Sequence, residues 1–539
     1  MIPEISLLHR NFEGESWNHA TQVAFMNMLQ DENFFNGKGE KDPAFSARDR
    51  ITRAPKSLGF VILSPNIALT PAGMALISST RTEEVFLRQL LKFQIPSPYH
   101  IPSERAAKFW IKPYLEIFRL IRYFGVLKFD ELKIFALQLT DYRDFDLIVR
   151  KIEVFRKAKA SHVGSYRRFV EEYLDKELRE VYAEEISAGN ISVRESDGNS
   201  VIKFLRTKGR NMRDYADACV RYLRATGVVN VSYEGKSLSI VPEKQVDVDF
   251  FLQNIERVPC FVSDKAAYVD YLGSTKYPLL LTDNRERLLE KLSVDFPHVS
   301  IDKSVTTEKL KIIYDDLLEK RKSAVLEKHI RDLKDYKLYD DIQDKYQQIL
   351  ADSLYDTPLM LEWNTWRAMT MLDGGNVKAN LSFDDFGQPL CTAQGNMADI
   401  VCDYGEFSLS VEVTMSYGQR QFEMEGEPIV RHLGKLKRAT NKPAYCLFLA
   451  PKINDASIAH SFMLHKMDLT FYEGHSVIIP LPISIFQKML EDSRKAGYIP
   501  QPHHIRSFFE YSNEVADSCV NERVWYNQVV SRALNWLEL

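Results

Sequence analysis

The segment LGFVILSPNIALTPAGMALISS (58–79) changes its apolar period part-way. Strand-like Gly59–Leu63 and Ile67–Leu69 flank a turn at Ser64-Pro65-Asn66, and Thr70-Pro71 then opens a helix. Threonine is a good N-cap, and proline suits the first helical position. A small hairpin beside short helices is the pattern of a winged-helix module, although other small α+β domains share it.

The arrangement recurs. Helical periodicity runs through 114–125 and 129–139, and the stretch 212–227 is a helix ending at Gly227, a suitable residue just past a helix end. Two short strands, 228–232 and 237–241, follow around a turn at Glu234-Gly235. Residues 243–350 are charged and mostly helical, interrupted by Pro259, Pro278 and Pro297, with one or two long exposed helices from residue 306 onward. Their charges read as a solvated face. The last part alternates: a helix at 358–372, strands near 398–404 and 407–414, a helix near 428–439, and strands at 444–451 and 476–482 with helices between and after. That alternation indicates an α/β domain. The expected layout is two winged-helix-like units (1–110 and 111–242), a helical connector (243–350) and an α/β domain (351–539).

Composition narrows the class. Of 539 residues, 45% are hydrophobic and 27% charged, which is a globular rather than a disordered profile. No run approaches the ~20 apolar residues of a membrane span. The N-terminus lacks the basic-then-apolar pattern of a secretion signal. Six scattered cysteines without a CxxC pair suggest neither zinc nor a disulfide framework. A reducing cytoplasm is the expected location. The net charge of −4 averages over basic clusters and acid-rich segments, so it does not argue against a nucleic-acid ligand.

The candidate chemistry lies in 395–435. A two-residue turn at Gly405-Glu406 pairs Tyr404 with Phe407 and sets the register of a hairpin. Ile400, Cys402, Tyr404, Phe407, Leu409 and Val411 then share one face. Asp399, Asp403, Ser408, Ser410 and Glu412 share the other, with Val401 the only apolar member. Asp399 falls opposite Glu412, a repulsive pair that a sheet normally avoids. A divalent cation between them reverses the sign, and Mg²⁺ commonly takes one or two protein carboxylates together with substrate phosphate. The alternative is an exposed hairpin edge carrying two solvated acids. Glu423, Glu425 and Glu427 precede Pro428 at the expected start of the next helix, where acids are also favoured by the helix dipole. His432, one turn on, is either a surface histidine or a phosphate or proton ligand. Glu362 sits among aromatics in LEWNTWR.

These residues resemble a known family. GN-x-x-D (395–399), SVEVT (410–414), FEMEGEPIVRH (422–432), YCLFLAPKIN (445–454), LEWNTW (361–366) and LNWL (534–537) are similar to the catalytic domain of the AlwI-type restriction endonucleases, which include strand-specific nicking enzymes. NFEGESW (11–17), AFSARDR (44–50), VFLRQLLKFQIPS (85–97) and RNMRDYADACVRYLRATG (210–227) resemble its recognition region. The resemblance implies a PD-(D/E)xK-like nuclease domain behind two winged-helix-like recognition subdomains. It implies Mg²⁺ (or Mn²⁺) held by Asp399 and Glu412, with Glu362, Glu425 and His432 as further catalytic residues. It departs from the wider nuclease pattern at Ala398, where proline is usual, and at Thr414, where lysine is usual. A hydroxyl cannot supply positive charge to a phosphate. His432 and Lys435 are the candidates for that role.

Basic residues that can hold phosphates or read guanine edges cluster twice. Arg48, Arg50, Arg53 and Lys56 fall in an expected loop-to-strand segment. Lys203, Arg206, Lys208, Arg210 and Arg213 precede the helix expected from residue 212. The function implied is Mg²⁺-dependent cleavage of double-stranded DNA outside a short asymmetric site, as in type IIS enzymes. Cutting both strands calls for a transient homodimer or a small catalytic partner subunit, and a nickase is the variant without that pairing. A cognate DNA methyltransferase would complete the system. A non-catalytic winged-helix regulator is the alternative from a different class.

Overall fold

The computed structural model describes residues 1–31, 42–99, 108–192, 200–302, 304–372, 375–393, 397–498 and 500–538. Gly395 and Asn396 of the GN-x-x-D stretch lie outside these. The described residues form two compact units that divide between Asp315 and Asp316, inside the helix Thr307–Lys334. Both are helix-rich, and β-sheet is present in each. Among the described residues no helix is long and apolar enough to cross a membrane.

The first unit opens with helices Ile2–Phe12, His19–Asp31 and Pro43–Thr52. The expected hairpin is present as Val61–Ile62 against Ala68–Leu69, antiparallel with Val61 opposite Leu69. Thr70 caps the helix Pro71–Ser78, its Oγ1 accepting from the Gly73 N–H at 3.0 Å. A Cβ at Gly73 would stand 2.0 Å from the Phe60 carbonyl oxygen, so helix and strand meet there only because the residue is glycine. Farther on, strands Val126–Lys128, Ser237–Ile240 and Val229–Ser232 form an antiparallel sheet in that order. Val126–Lys128 was not expected from the sequence, since three residues after Gly125 are too few to show a period. The sheet neighbours helices Pro113–Phe124 and Val201–Arg224. The latter begins eleven residues before the expected residue 212 (212 − 201).

The second unit is built on a five-stranded mixed sheet. Its elements are α1 (Thr357–Leu372), β1 (Asn376–Ala379), β2 (Ile400–Asp403), β3 (Ser408–Val413), α2 (Gln419–Thr440), β4 (Ala444–Ala450), α3 (Asp455–Lys466) and β5 (Ile478–Pro482). The strand order is β5-β4-β3-β2-β1. β1, β2 and β3 are antiparallel neighbours, whereas β3–β4 and β4–β5 are parallel and joined by α2 and α3. β4 is buried along its whole length, as a parallel strand covered on both faces should be. Ile429, Val430 and Leu433 of α2 pack with Cys446 and Phe448 of β4 and Leu464 of α3. α1 is buried on nearly all sides and is tied to helix Tyr339–Leu350 by Asn364, whose Nδ2 donates to the Ile342 carbonyl at 3.1 Å.

α2 departs from expectation. It starts at Gln419 after Gly418, and Pro428 lies inside it rather than at its first turn. Proline often opens helices because its missing N–H is not needed there. In the interior it removes one hydrogen bond, yet here the helix continues on both sides, packed against β3 and β4. Glu423, Glu425 and Glu427 are therefore interior residues, and a preference for acids at a helix start does not explain them.

Candidate active site

The hairpin keeps the expected register over its four ladder pairs, from Asp403 opposite Ser408 to Ile400 opposite Val411. Gly405 has φ +82°, and the Tyr404 N–H donates to the Phe407 carbonyl at 3.0 Å. Asp399 and Glu412 stand at the next step beyond the last pair. Asp399 is tied to the end of β3 at two residues: its Oδ2 accepts from the Val413 N–H at 2.8 Å, and its own N–H donates to the Glu412 carboxylate.

The solvated-edge alternative does not hold. β3 is the central strand, and α2 packs across its polar face. Ser408 and Ser410 are 0% exposed and Glu412 is 7% exposed.

Three further residues join the pair from two helices. His432 Nδ1 and Glu412 Oε1 share a hydrogen bond of 2.9 Å. Glu425, two turns earlier on the same face of α2, is hydrogen-bonded by the Thr414 hydroxyl at the end of β3. Glu362 on α1 accepts from the Ala393 N–H at 2.9 Å. The other two glutamates are engaged elsewhere, Glu423 with Gln419 at 3.1 Å and Glu427 with Arg431 at 3.0 Å. All five expected catalytic residues thus lie in one cluster, and of the three glutamates before Pro428 only Glu425 belongs to it.

The cluster is electrostatically tense. Burial, then Asp399, pushes the Glu362 carboxyl up to about 9. Burial, then Glu412, raises Asp399 well above the usual carboxylate range. Burial, then Glu425 and Glu362, does the same to Glu412. Glu425 is raised by burial, against the opposing Thr414 hydroxyl and His432. Burial, then Arg431 and Lys435, depresses His432 to about 4. Among the described residues its buried Nε2 has no hydrogen-bond partner. Four carboxyls raised by burial, three of them also by a neighbouring acid, either hold protons or exchange them for a cation. Among the described residues no group of three or more His, Cys, Asp or Glu is placed to hold a metal ion together, so a cation here would rest on one or two carboxylates. The donor set still fits Mg²⁺, a hard ion that takes one or two carboxylates and keeps positions for water and phosphate.

A cleft of about 500 Å³ opens beside the cluster, lined by Leu361, Glu362, Thr414, Ser416, Tyr417 and Arg420. Arg420 was missed in the sequence. The signal was available, since it is the first cation after β3, but only the fold turns the chain back to the cleft. Neither earlier candidate for the missing lysine lines this cleft. Burial favours the uncharged form of His432, and Lys435 lies one turn past Arg431 on α2.

The basic candidates divide. Arg48, Arg50, Arg53 and Lys56 are on or between the short helices Pro43–Thr52 and Ala54–Ser57, not in a loop leading to a strand. Each has a partner within the chain. Arg48 donates to Gln22 at 2.9 Å, Arg50 pairs with Glu4 at 2.8 Å, Arg53 pairs with Asp49 at 2.6 Å, and Lys56 lies 4.8 Å from the Tyr99 ring centre. The second group does not precede a helix but lies within Val201–Arg224. Lys203, Arg206, Arg210 and Arg213 recur at helical spacing on one exposed face. Lys208 turns away from it, over the rings of Tyr182 and Phe204 at 4.9 and 5.3 Å.

No curated protein matches the chain. Among solved structures, the small subunit (R.BspD6I2) of the heterodimeric restriction endonuclease R.BspD6I is 24% identical, covering 38% of this chain and 95% of that one, with a TM-score of 0.28. The BpuJ1 endonuclease binding domain, solved with pyrene- and phenanthrene-modified DNA, is 13% identical over 50% of this chain and 90% of that one (TM-score 0.32). Restriction endonuclease FokI is 13% identical over 88% of this chain and 84% of that one (TM-score 0.21). These likenesses are too low to bear on fold or function. The family comparison does bear on it: the model of the AlwI restriction endonuclease matches residues 56–489, which is most of the chain. The chain belongs to the AlwI restriction endonuclease family, and is a site-specific, DNA-binding nuclease.

Proposed function

We propose that the protein is a Mg²⁺-dependent, type IIS-like endonuclease that hydrolyses phosphodiester bonds outside a short asymmetric site, using a PD-(D/E)xK-like centre in its second unit. The observation that carries this reading is the buried cluster of Glu362, Asp399, Glu412 and Glu425 beside an open cleft. Asp399 and Glu412 would hold Mg²⁺, which when bound supplies Lewis acidity and a more acidic water. The chain's own groups do the rest. The hydrogen bond to His432 fixes the Glu412 carboxylate, and the Thr414 hydroxyl fixes Glu425. Glu362, at the cleft wall, and Glu425, held by Thr414 behind it, are both raised and would hold and pass protons.

The exposed face of Lys203, Arg206, Arg210 and Arg213 would lie along DNA, in the second of two winged-helix-like recognition subdomains. Binding as a monomer leaves one active centre per site. Cutting both strands then requires a transient homodimer or a small partner subunit, and without either the product is a nick. A cognate methyltransferase would protect the host site.

The test is cleavage of plasmid DNA with Mg²⁺ and, separately, Mn²⁺. Asp399→Ala and Glu412→Ala are expected to abolish cleavage while retaining DNA binding. Continued cutting by both variants would overturn the assignment. Tight, specific binding by the parent protein without cutting under either ion would favour a non-catalytic regulator. Run-off sequencing of both product strands gives the site, the cut distance and whether one strand or two is cut.

A further inference from the structure

We infer that Arg420 is the phosphate-binding cation of this centre, filling the role left open by Thr414. The inference rests on the nuclease reading above. Arg420 lines the cleft together with Glu362 and Thr414, and its side chain is exposed to the space a phosphodiester would enter. Among the described residues it has no ion-pair or hydrogen-bond partner, while the nearby acids Glu423 and Glu427 are engaged by Gln419 and Arg431. A guanidinium offers two parallel N–H donors to the non-bridging oxygens of a phosphate, and its charge persists at every working pH.

Its placement is also costly to the helix. Arg420 is the second residue of α2, where the helix dipole disfavours a cation. An anion bound at the cleft would remove that conflict, because the helix start and the arginine both favour negative charge.

The backbone around it is held in place. Gly418, with φ +62° and ψ −155°, adopts a conformation open essentially to glycine alone and turns the chain from β3 into α2. Gln421, fully buried, fixes the start of α2. Its Nε2 donates to the carbonyls of Ser416 and Lys452, each at 2.9 Å, and its Oε1 accepts from the Asn454 N–H at 2.8 Å. The loop that presents Arg420 is thereby anchored to the end of β4. Fixing the helix start limits the positions the guanidinium can take, and a donor held near its target is worth more than a freely placed one.

The experiment compares the full-length parent with Arg420→Ala, Arg420→Lys and Glu412→Ala. Single-turnover cleavage is measured with protein in excess over plasmid DNA and Mg²⁺. Affinity is measured with Ca²⁺ on the fragment the parent cuts, and thermal unfolding checks folding. Arg420→Ala is expected to cleave about 100-fold more slowly, the scale seen for loss of one preorganised donor, with affinity changed less than about threefold, roughly one phosphate contact among several. Arg420→Lys is expected to recover part of the rate. Added guanidinium chloride at millimolar concentration should restore part of the Arg420→Ala rate, and sodium chloride at equal ionic strength should not. Cleavage by Arg420→Ala within twofold of the parent, alongside an inactive Glu412→Ala, overturns the inference and leaves the nuclease reading intact. Loss of affinity in parallel with rate, without rescue by lysine or guanidinium, overturns it in favour of a docking role. Failure of the parent itself to cut with Mg²⁺ or Mn²⁺ sinks the nuclease reading instead.

Discussion

Glu362 is 8% exposed and carries a carboxyl raised to about 9 by burial and by Asp399. An acid whose folded pKa exceeds its unfolded value binds more protons in the native state, so its contribution to stability falls as pH rises from about 4.5 to about 9. Glu362→Gln, which cannot ionise, is therefore expected to unfold at a higher temperature than the parent at pH 8. The gain should be roughly 2–5 °C for a change of one or two kcal/mol, and it should vanish at pH 4. Thermal scans at the two pH values check this, and an equal or lower midpoint at pH 8 would contradict it. Mg²⁺ should narrow the gap by stabilising the parent more than the variant, because a bound cation stabilises the ionised carboxylates. A site that strains its own fold in this way is the usual trade between stability and activity.

At the scale of elements, α2 does most to assemble the site. It brings Glu425 and His432 to the sheet on one face and Arg420 to the cleft at its start, with Pro428 between Glu425 and His432. Pro428→Ala restores a backbone donor inside the helix. It should stabilise the protein by about 1–3 kcal/mol while slowing cleavage, because the spacing of Glu425 and His432 was set with the proline present. Urea unfolding and single-turnover rates read the two effects separately, and a destabilised variant would show that the proline is not strained. Gly418→Ala should do the reverse, costing about 1–3 kcal/mol through its backbone conformation. It should also slow cleavage by displacing Arg420. Unchanged stability in that variant would mean the turn is not confined to glycine.

At the scale of the whole molecule, each unit carries a charged feature of opposite sign. The second unit buries a cluster of acids, whereas the first exposes Lys203, Arg206, Arg210 and Arg213 along one helix face. The net charge of −4 conceals both features. If this face meets DNA phosphates, Arg213→Ala should lower the slope of log affinity against log salt by about 0.9. Lys208→Ala should leave it unchanged, because Lys208 packs over Tyr182 and Phe204. A salt titration of DNA binding distinguishes the two, and equal slopes for Arg213→Ala and the parent would remove that residue from the interface.

The sequence by itself determined what local periodicity can carry. The hairpin register follows from alternation and the Gly405 turn, because a slip of one residue would move every apolar side chain to the other face. The strands Ala444–Ala450 and Ile478–Pro482 and the capped helix Pro71–Ser78 were legible for similar reasons. The family resemblance, not the spacing, brought Glu362, Glu425 and His432 into the site. The tertiary structure decided what depends on neighbours distant in sequence. It buried the polar face of β3 beneath α2, and so turned two acids that were legible as a pair into carboxyls that hold protons or a cation. It carried the start of α2 back to Gly418, because packing against the sheet offsets a hydrogen bond lost at Pro428. It also placed Arg420 beside Thr414. Residue spacing does not report which side chains share a cleft, and proton affinity is set by burial and nearby charge rather than by the order of residues along the chain.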